Sequence, residues 1–207
     1  MSGAWLVSYV VLWGLVLFQG AVIFVLLRQL GMMYLGTARG VAGDGIAVGE
    51  RAPEFTLLDI DERPVSLAGF RGLPLLIVFG SPTCVPCRTL VPDLNAFARE
   101  RHEELAVLFL SRGDVDEARR FARELDVQVP VAAHPDQELA DAYKARVTPF
   151  AFLIDGEGVV QAKGLANNRD HLHMLLRTAK EHAGGSARAR RNGAGATAQP
   201  IAEEKRR

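Results

Sequence analysis

The sequence predicts an α/β domain, with a mixed sheet flanked by helices, that follows one transmembrane helix. Two observations support this prediction. Residues 5–27 form a long uncharged apolar run, and beyond residue 53 apolar runs of strand length alternate with segments of helical periodicity. The 207 residues provide room for one domain of about 100–150 residues plus extensions. With 49% hydrophobic and 23% charged residues, most of the chain is typical of a folded protein.

Charge and cysteine content exclude two classes of protein. The 24 basic and 24 acidic residues cancel, which argues against a nucleic-acid partner because nucleic-acid-binding domains are strongly basic. The distribution is uneven, since residues 184–207 hold six basic and two acidic side chains and residues 51–183 carry the compensating acidic surplus. The chain has only two cysteines, too few for a secreted scaffold held together by disulfides.

An uncharged N-terminal segment predicts a membrane anchor. Of residues 5–27, 19 are apolar, and as a helix they would be about 34 Å long, enough to cross a hydrocarbon core of about 30 Å. Trp5, Tyr9 and Trp13 gather toward one end, where aromatic rings suit the headgroup region. The run is too long for a cleavable signal peptide, and it lacks a basic region before it and a small-residue cleavage site after it.

Two signals disagree about the orientation of this anchor, residues 1–30. The N-terminal side has only its α-amine, whereas Arg28 and Arg39 follow the span, so a positive-inside count places the following domain in the cytoplasm. The charge difference is small, and the thiol chemistry described below favours the opposite face. Residues 31–47 predict a linker, because they are rich in glycine and show no apolar period.

The first half of the domain predicts a hairpin, a strand and a helix. A short β-hairpin is expected over residues 55–58 and 65–67. Residues 73–79 are almost continuously apolar, as expected of a strand buried on both faces. The helix after Cys84 should be kinked by Pro92. Its apolar positions keep helical spacing: Leu90, Leu94, Phe97 and Ala98.

The second half adds strands and helices in alternation. Four strands are predicted, at residues 105–110, 129–132, 151–154 and 159–163. The last two flank Asp-Gly-Glu-Gly, a strong hairpin signal. Three helices are expected. One follows Asp114 and one follows Asn168, and these two residues can serve as their N-caps. The other spans residues 137–145. The folded domain should therefore span residues 48–183, and the Gly-, Ala- and Arg-rich tail, residues 184–207, is expected to be disordered.

The chemistry of the chain is concentrated in Cys84 and Cys87. They directly follow a buried strand and lie in the first turn of the predicted helix. Helix N-terminal amides and the macrodipole stabilise an anion, so we expect the Cys84 thiol to have a lowered pKa and to be the attacking group. Cys87, one turn further in, is placed to attack a mixed disulfide at Cys84 and release the partner. Pro86 restricts the loop between them.

Metal and haem sites fit the sequence less well than dithiol redox chemistry. Zinc requires four ligands, and the sequence has no second C-x-x-C or paired-histidine pattern of suitable spacing. His171 and His173 are two residues apart on a helix, so they point to different faces. Haem attachment requires a histidine directly after the second cysteine, where Arg88 stands. We therefore expect no metal, and no cofactor other than the redox-active Cys84–Cys87 disulfide.

The sequence Phe-Gly-Ser-Pro-Thr-Cys-Val-Pro-Cys, residues 79–87, resembles the active-site turn of thioredoxin-like proteins. Thr148-Pro149, which precedes a predicted strand, resembles the cis-proline loop of that family and should lie against Cys84. The resemblance assigns five residues to the active-site loops: Thr83, Val85, Pro86, Thr148 and Pro149. It also implies a thioredoxin-like fold for residues 48–183.

Two positions depart from the thioredoxin pattern. Thr83 stands where an aromatic residue usually precedes the first cysteine. Val78 stands where thioredoxin has a buried acid that assists proton transfer, and valine cannot take up a proton. The group that assists the Cys87 thiol, and the choice between oxidant, isomerase and reductant, stay open at this point.

A more specific resemblance covers about residues 5–182. Ala-Pro-Glu-Phe-Thr-Leu, residues 52–57, is similar to the start of membrane-anchored periplasmic redoxins of the TlpA and ResA type. With the anchor and Leu-Arg-Gln-Leu-Gly, residues 27–31, the chain most resembles the MauD family of methylamine utilisation proteins. The resemblance implies a thiol-disulfide oxidoreductase or isomerase in the cell inner membrane, with its redox domain facing the periplasm or cell exterior. It also implies a membrane redox partner and a cysteine-containing client, the small subunit of methylamine dehydrogenase.

Three other functions remain open from the sequence. The first is a thiol reductant for cytochrome c maturation, as in related anchored redoxins. The second is a thiol peroxidase, because the opening hairpin also resembles peroxiredoxins, although Thr83 next to Cys84 has the wrong spacing for their P-x-x-x-T-x-x-C motif. The third is a non-catalytic assembly scaffold, which would tolerate serine at both cysteine positions.

Overall fold

The computed structural model describes residues 2–135 and 137–194, which divide into two compact units between Gly43 and Asp44. The first unit is one helix, α1, Ser2–Gly43. Its segment Val7–Val25 is long and apolar enough to cross a membrane, which agrees with the predicted anchor. The helix continues through most of the predicted linker, because no proline occurs before Pro53 and leucine, methionine, alanine and arginine favour helix.

The second unit contains seven strands and four α-helices among its described residues. The strands are β1 Thr56–Asp59, β2 Pro64–Ser66, β3 Leu75–Gly80, β4 Ala106–Arg112, β5 Val131–His134, β6 Phe150–Ile154 and β7 Val160–Leu165. The helices are α2 Val85–Arg101, α3 Val115–Glu124, α4 Glu138–Ala142 and α5 Arg169–Ala194. Each predicted element is present, with its ends shifted by a few residues. The Asp114 carboxylate caps α3 by accepting from the Glu117 amide at 2.7 Å, as predicted.

The seven strands form one mixed sheet in the order β2-β1-β5-β4-β3-β6-β7. Strands β3, β4 and β5 are parallel, whereas β6 is antiparallel to β3 and β7 is antiparallel to β6. The β1–β2 hairpin extends the sheet beyond β5. This is the thioredoxin-like arrangement that the sequence resemblance implies.

The two faces of the sheet have different coverings. Alternate residues of the central strands pack with α2, α3 and α5 in one apolar cluster, which includes Val78, Leu90 and Phe121. On the opposite face Phe79 lies 5.1 Å, ring centre to ring centre, from Tyr143, the residue that follows α4. Strands β3 and β6 are buried along their whole length, so their ends are held rigidly.

The structure differs from the sequence prediction at both ends of the domain. The second unit begins at Asp44 instead of residue 48, because the Gly45 and Ile46 amides donate to the carbonyls of Lys144 and Tyr143. Helix α5 extends to Ala194, although residues from 184 onward were expected to be disordered. This segment contains three alanines and three arginines, which are good helix formers, and it continues a helix that is already formed, so no new nucleation is needed. Residues 195–207 lie outside the described part of the chain.

Candidate active site: a dithiol at the start of helix α2

The register of the sheet brings the two predicted active-site segments together. Strand β3 ends at Gly80, four residues before Cys84, which is the N-cap of α2. Strand β6 runs antiparallel to β3 with Phe150 opposite Phe79, so the start of β6 lies at the edge where β3 ends. The Thr148–Pro149 peptide at that start is cis. The Thr148 carbonyl oxygen lies 3.6 Å from the Cys84 sulfur.

Cys84 and Cys87 form a disulfide, with their Cα atoms 5.2 Å apart. The two sulfurs have unequal surroundings: Cys87 is fully buried, whereas Cys84 is half-buried. The Cys87 amide donates to the Cys84 sulfur at 3.2 Å, because the first amides of a helix have no carbonyl partner within it. The same amide can stabilise a Cys84 thiolate after reduction.

The residues next to and between the two cysteines are exposed to solvent. Val85 is 71% exposed, and Pro86 and Thr83 are also exposed. The Thr83 hydroxyl lies 3.0 Å from the Ser81 hydroxyl, so a polar pair occupies the position where thioredoxin has an aromatic ring. Across the disulfide, Thr148 is exposed and Pro149 is buried. The exposed surface around Cys84 therefore contains both apolar side chains and hydroxyl groups.

Val78, which the sequence resemblance places at the acid position of thioredoxin, has apolar surroundings. It is fully buried and belongs to the same apolar cluster as Cys87. The Cys87 sulfur is therefore enclosed by apolar side chains, whereas Cys84 is only half-buried. The assignment of Cys84 as the attacking thiol and Cys87 as the resolving thiol stays a prediction.

Arg88 contributes to the site in a way that the sequence analysis missed. Its Nη1 donates to the Pro82 carbonyl at 3.4 Å, and its Nη2 forms an ion pair with Glu124 of α3. It therefore links the active-site loop to a second helix. The sequence signal for this role is the position of Arg88 directly after Cys87.

Two of the five histidines, His171 and His173, form hydrogen bonds near the start of α5. His171 Nδ1 accepts from the Asn167 amide at 3.3 Å, and His173 Nε2 lies 3.3 Å from the Arg169 Nε. In the described residues no group of three or more His, Cys, Asp or Glu side chains is placed to hold a metal ion. The chemistry that this geometry supports is exchange at the Cys84–Cys87 sulfurs.

The chain is similar to known proteins along most of its length. Residues 48–163 match the AhpC/TSA family. The chain is 34% identical over 179 residues to methylamine utilization protein MauD of Paracoccus versutus, covering 84% of this chain and 88% of that one. It is 27% identical over 115 residues to the thiol-disulfide oxidoreductase ResA of Bacillus thuringiensis, covering 55% of this chain and 66% of that one.

Solved structures support the same fold. The thioredoxin domain of a thiol-disulfide oxidoreductase from Bacteroides vulgatus superposes with a TM-score of 0.57 at 22% identity, over 62% of this chain and 97% of that one. At this level of identity the likeness concerns the fold, whereas the relatives at one third identity cover most of the chain. The chain therefore belongs to the AhpC/TSA family, which it matches over residues 48–163, and to the family of methylamine utilization protein MauD, and its relatives support thiol-disulfide oxidoreductase activity.

Proposed function

We propose that the protein is a membrane-anchored disulfide oxidoreductase that introduces or rearranges disulfides in a client outside the cytoplasm. The observation that carries this proposal is the asymmetry of the dithiol: Cys84 is accessible beside the Thr148–Pro149 loop, whereas Cys87 is fully buried behind it. An accessible sulfur can react with a protein, and a buried neighbour can then resolve the adduct without competing for the client.

Each half of the exchange has a defined electron balance. A client thiolate attacks the Cys84 sulfur, forming a mixed disulfide and releasing the Cys87 thiolate. A second client thiolate attacks the client sulfur of that adduct, which gives a client disulfide and a Cys84 thiolate. Two electrons have then passed from the client to the dithiol, and a membrane redox partner that accepts them restores the Cys84–Cys87 disulfide. In isomerisation, the Cys84 thiolate of the reduced dithiol attacks a client disulfide, which forms a mixed disulfide and releases one client thiolate. A different client thiolate then attacks the client sulfur of the adduct and releases the Cys84 thiolate, so no electrons are transferred overall.

We further propose the methylamine dehydrogenase small subunit as the client and the periplasm as the compartment. The support for the client is family membership, since five methylamine utilization proteins MauD are 33–35% identical to this chain. The support for the compartment is chemical, because cytosolic thiol pools keep a dithiol exchanger reduced, whereas an oxidising compartment maintains its disulfide. The candidate span Val7–Val25 then serves as the anchor.

Trapping variants test the roles of the two sulfurs. In Cys87→Ser, Cys84 still attacks a client disulfide but nothing resolves the adduct, so mixed disulfides with clients should accumulate in the membrane fraction. In Cys84→Ser, the remaining thiol is buried and adducts should be absent. Non-reducing gels followed by mass spectrometry read out both the roles and the client. Equal adducts from both variants would contradict the assigned order of attack.

The identity of the trapped protein separates the alternatives. Recovery of the methylamine dehydrogenase small subunit supports the proposed client, whereas recovery of proteins that contain C-x-x-C-H motifs supports cytochrome c maturation. The matched control is the double variant Cys84→Ser/Cys87→Ser, which should fail to restore dehydrogenase activity in a strain that lacks this gene. Full restoration by the double variant would instead support an assembly scaffold without redox chemistry.

A thiol peroxidase is the second candidate, because the AhpC/TSA match covers residues 48–163. In that case hydrogen peroxide should oxidise reduced protein much faster than it oxidises a free thiol. We expect no such acceleration, because the side chain next to Cys84 is Thr83, paired with Ser81, and the P-x-x-x-T-x-x-C arrangement is not present in the sequence. Stopped-flow measurement of peroxide consumption by the reduced protein distinguishes a thiol peroxidase from a disulfide oxidoreductase.

A further inference from the structure

A cleft of about 480 Å³ opens beside the active-site loop. We call it the arginine cleft and define it by the residues on its walls that matter here: Thr83, Arg88, Arg112, Gly113, Arg120 and Glu124. In the sheet, β3 lies between β4 and β6. The arginine cleft is on the β4 and α3 side of the active-site loop, whereas the Thr148 carbonyl is on the β6 side. Thr83 is the direct neighbour of Cys84 in the chain, so the cleft begins next to the reactive sulfur.

The parallel strands explain why charged residues converge here. Gly80 of β3 lies opposite Ser111 of β4, and Arg112 of β4 lies opposite His134 of β5. Because these strands are parallel, their carboxyl ends meet at the same edge of the sheet, where ligand sites of open α/β sheets form. Arg112 therefore leaves the sheet at the edge from which the active-site loop also leaves.

The charges in the cleft are only partly neutralised. Arg88 forms an ion pair with Glu124. The Glu117 carboxylate, which also lines the cleft, folds back over Gly113, where an added Cβ would lie 2.2 Å from its Oε2. Arg112 and Arg120 are exposed, and neither forms an ion pair with any residue that the structure describes. Two guanidinium groups are thus available to a ligand.

We propose that the arginine cleft binds carboxylate side chains of the client polypeptide, next to the cysteine that reacts with Cys84. The proposal rests on the proposed disulfide exchange and specifies its substrate class: clients with acidic residues flanking the reacting cysteine. Guanidinium groups recognise carboxylates through paired N–H donors. A chain whose cysteine reaches Cys84 passes Thr83, so its flanking residues can enter the cleft while the sulfurs react.

The reaction that reports on the cleft is reduction of a peptide disulfide by the reduced protein. The Cys84 thiolate attacks one peptide sulfur, which forms a mixed disulfide and releases the first peptide thiol. The Cys87 thiol, after losing its proton to solvent, attacks Cys84 and releases the second peptide thiol. Two electrons pass from the dithiol to the peptide, and the Cys84–Cys87 disulfide is restored.

The test uses the full chain in detergent micelles and symmetrical peptide disulfides whose cysteines are flanked by aspartate, glutamine or lysine. The variant is Arg112→Gln/Arg120→Gln, and the matched control is Arg123→Gln, an exposed arginine of α3 that does not line the cleft. We expect the double variant to lower the second-order rate constant for the aspartate peptide by about 2- to 30-fold, as expected for two exposed ion pairs. The glutamine peptide should be unchanged, and added salt should remove the difference.

Three results would overturn the proposal: equal rates for the aspartate peptide in the wild-type and double-variant proteins, an equal loss for all three peptides, or an equal loss in Arg123→Gln. Oxidised glutathione is the small-molecule comparison. If the double variant lowers the rate constant for oxidised glutathione by the same factor as that for the aspartate peptide, the cleft binds a small carboxylated disulfide. The assignment to a polypeptide client is then wrong.

A binding measurement separates failure of the cleft from failure of the proposed function. A fluorescent aspartate peptide with serine in place of cysteine should bind the oxidised wild-type protein more tightly than it binds the double variant, in fluorescence anisotropy at low salt. If the wild-type protein reduces none of the peptides, the proposed exchange fails. The anisotropy result then still shows whether the arginine cleft binds the aspartate peptide, because binding of this peptide requires no thiol chemistry.

Discussion

Tyr143 shows how one residue connects distant parts of the domain. Its hydroxyl donates to the Pro53 carbonyl at 2.8 Å, and its ring packs against Phe79 and Phe152 at centroid distances of 5.1 and 5.3 Å. Burial raises the pKa of the Tyr143 phenol, and the nearby charge of Glu54 adds to the effect. The folded domain therefore holds this group in its neutral form.

The raised pKa predicts that the domain loses stability in alkali. An unfolded tyrosine ionises near pH 10, so above that pH the unfolded state binds fewer protons than the folded state and the free energy of unfolding falls. In a fragment of residues 44–207, Tyr143 is the single tyrosine, because the other two are Tyr9 and Tyr34. Phenolate absorbance should therefore appear together with unfolding in a pH titration. An increase in phenolate absorbance at a pH where circular dichroism remains native would contradict this prediction.

Tyr143→Phe is the matched variant for that measurement. It keeps the ring but leaves the Pro53 carbonyl without this donor, so we expect it to lower the free energy of unfolding at pH 7 by about 1–3 kcal/mol. Its stability should then fall less steeply than that of the wild-type fragment above pH 10, since the titrating group is gone. Denaturant melts at pH 7 and at several values above pH 10 measure both effects.

At the scale of the element, the segment between α1 and the first strand behaves as part of the domain. Lys163 of β7 donates to the carbonyls of Asp44 and Gly45 at 2.7 and 2.8 Å, and the Ile46 side chain is buried. Gly45 has a positive φ of 77° and leaves no room for a Cβ, which would lie 2.9 Å from the rings of Phe150 and Phe152. The segment closes the aromatic face of the sheet.

Ile46→Ala tests whether this segment stabilises the domain. Removing a buried isoleucine side chain beyond its Cβ typically costs about 2–5 kcal/mol, and we expect the lower part of that range because Ile46 lies near a chain end of the unit. Val48→Ala is the control, since Val48 is 38% exposed and its truncation should change the free energy of unfolding by about 0.5 kcal/mol or less. Urea melts of both variants in the fragment of residues 44–207 give the comparison. If Ile46→Ala and the wild type are equally stable, residues 44–47 do not stabilise the domain and belong to the linker.

The sequence predicts the elements well where their signal is local. The apolar period of α3, the Asp114 cap and the Cys84–Cys87 motif are each contained within a few residues, and all appear as predicted. The attachment of Ile46 could not be predicted, because its partner carbonyl belongs to Tyr143, almost 100 residues away. The arginine cleft was missed for the same reason: Arg112 and Arg120 become neighbours of the active-site loop only through the register of β3 and β4.

At the scale of the whole molecule, the active-site motif and the charge pattern favour opposite orientations in the membrane. The positive-inside count uses two arginines, Arg28 and Arg39, against an N-terminal side with no charged side chain. Side-chain charges near a span bias orientation, but a dithiol can introduce disulfides into a client only where thiol pools do not keep that dithiol reduced. The proposed function therefore requires the N-terminus in the cytoplasm and residues 44–207 outside it.

Alkaline phosphatase fused after Arg207 tests that orientation, because its own disulfides form only outside the cytoplasm. We expect an active fusion, and an inactive one when residues 1–43 are deleted, since the candidate span Val7–Val25 is then lost. Replacing Arg28 and Arg39 with glutamine serves as the second control and should leave the fusion active, because it removes the charges that oppose export. An inactive full-length fusion that becomes active in this control would show that the arginines hold the domain in the cytoplasm, and the periplasmic function would then be wrong.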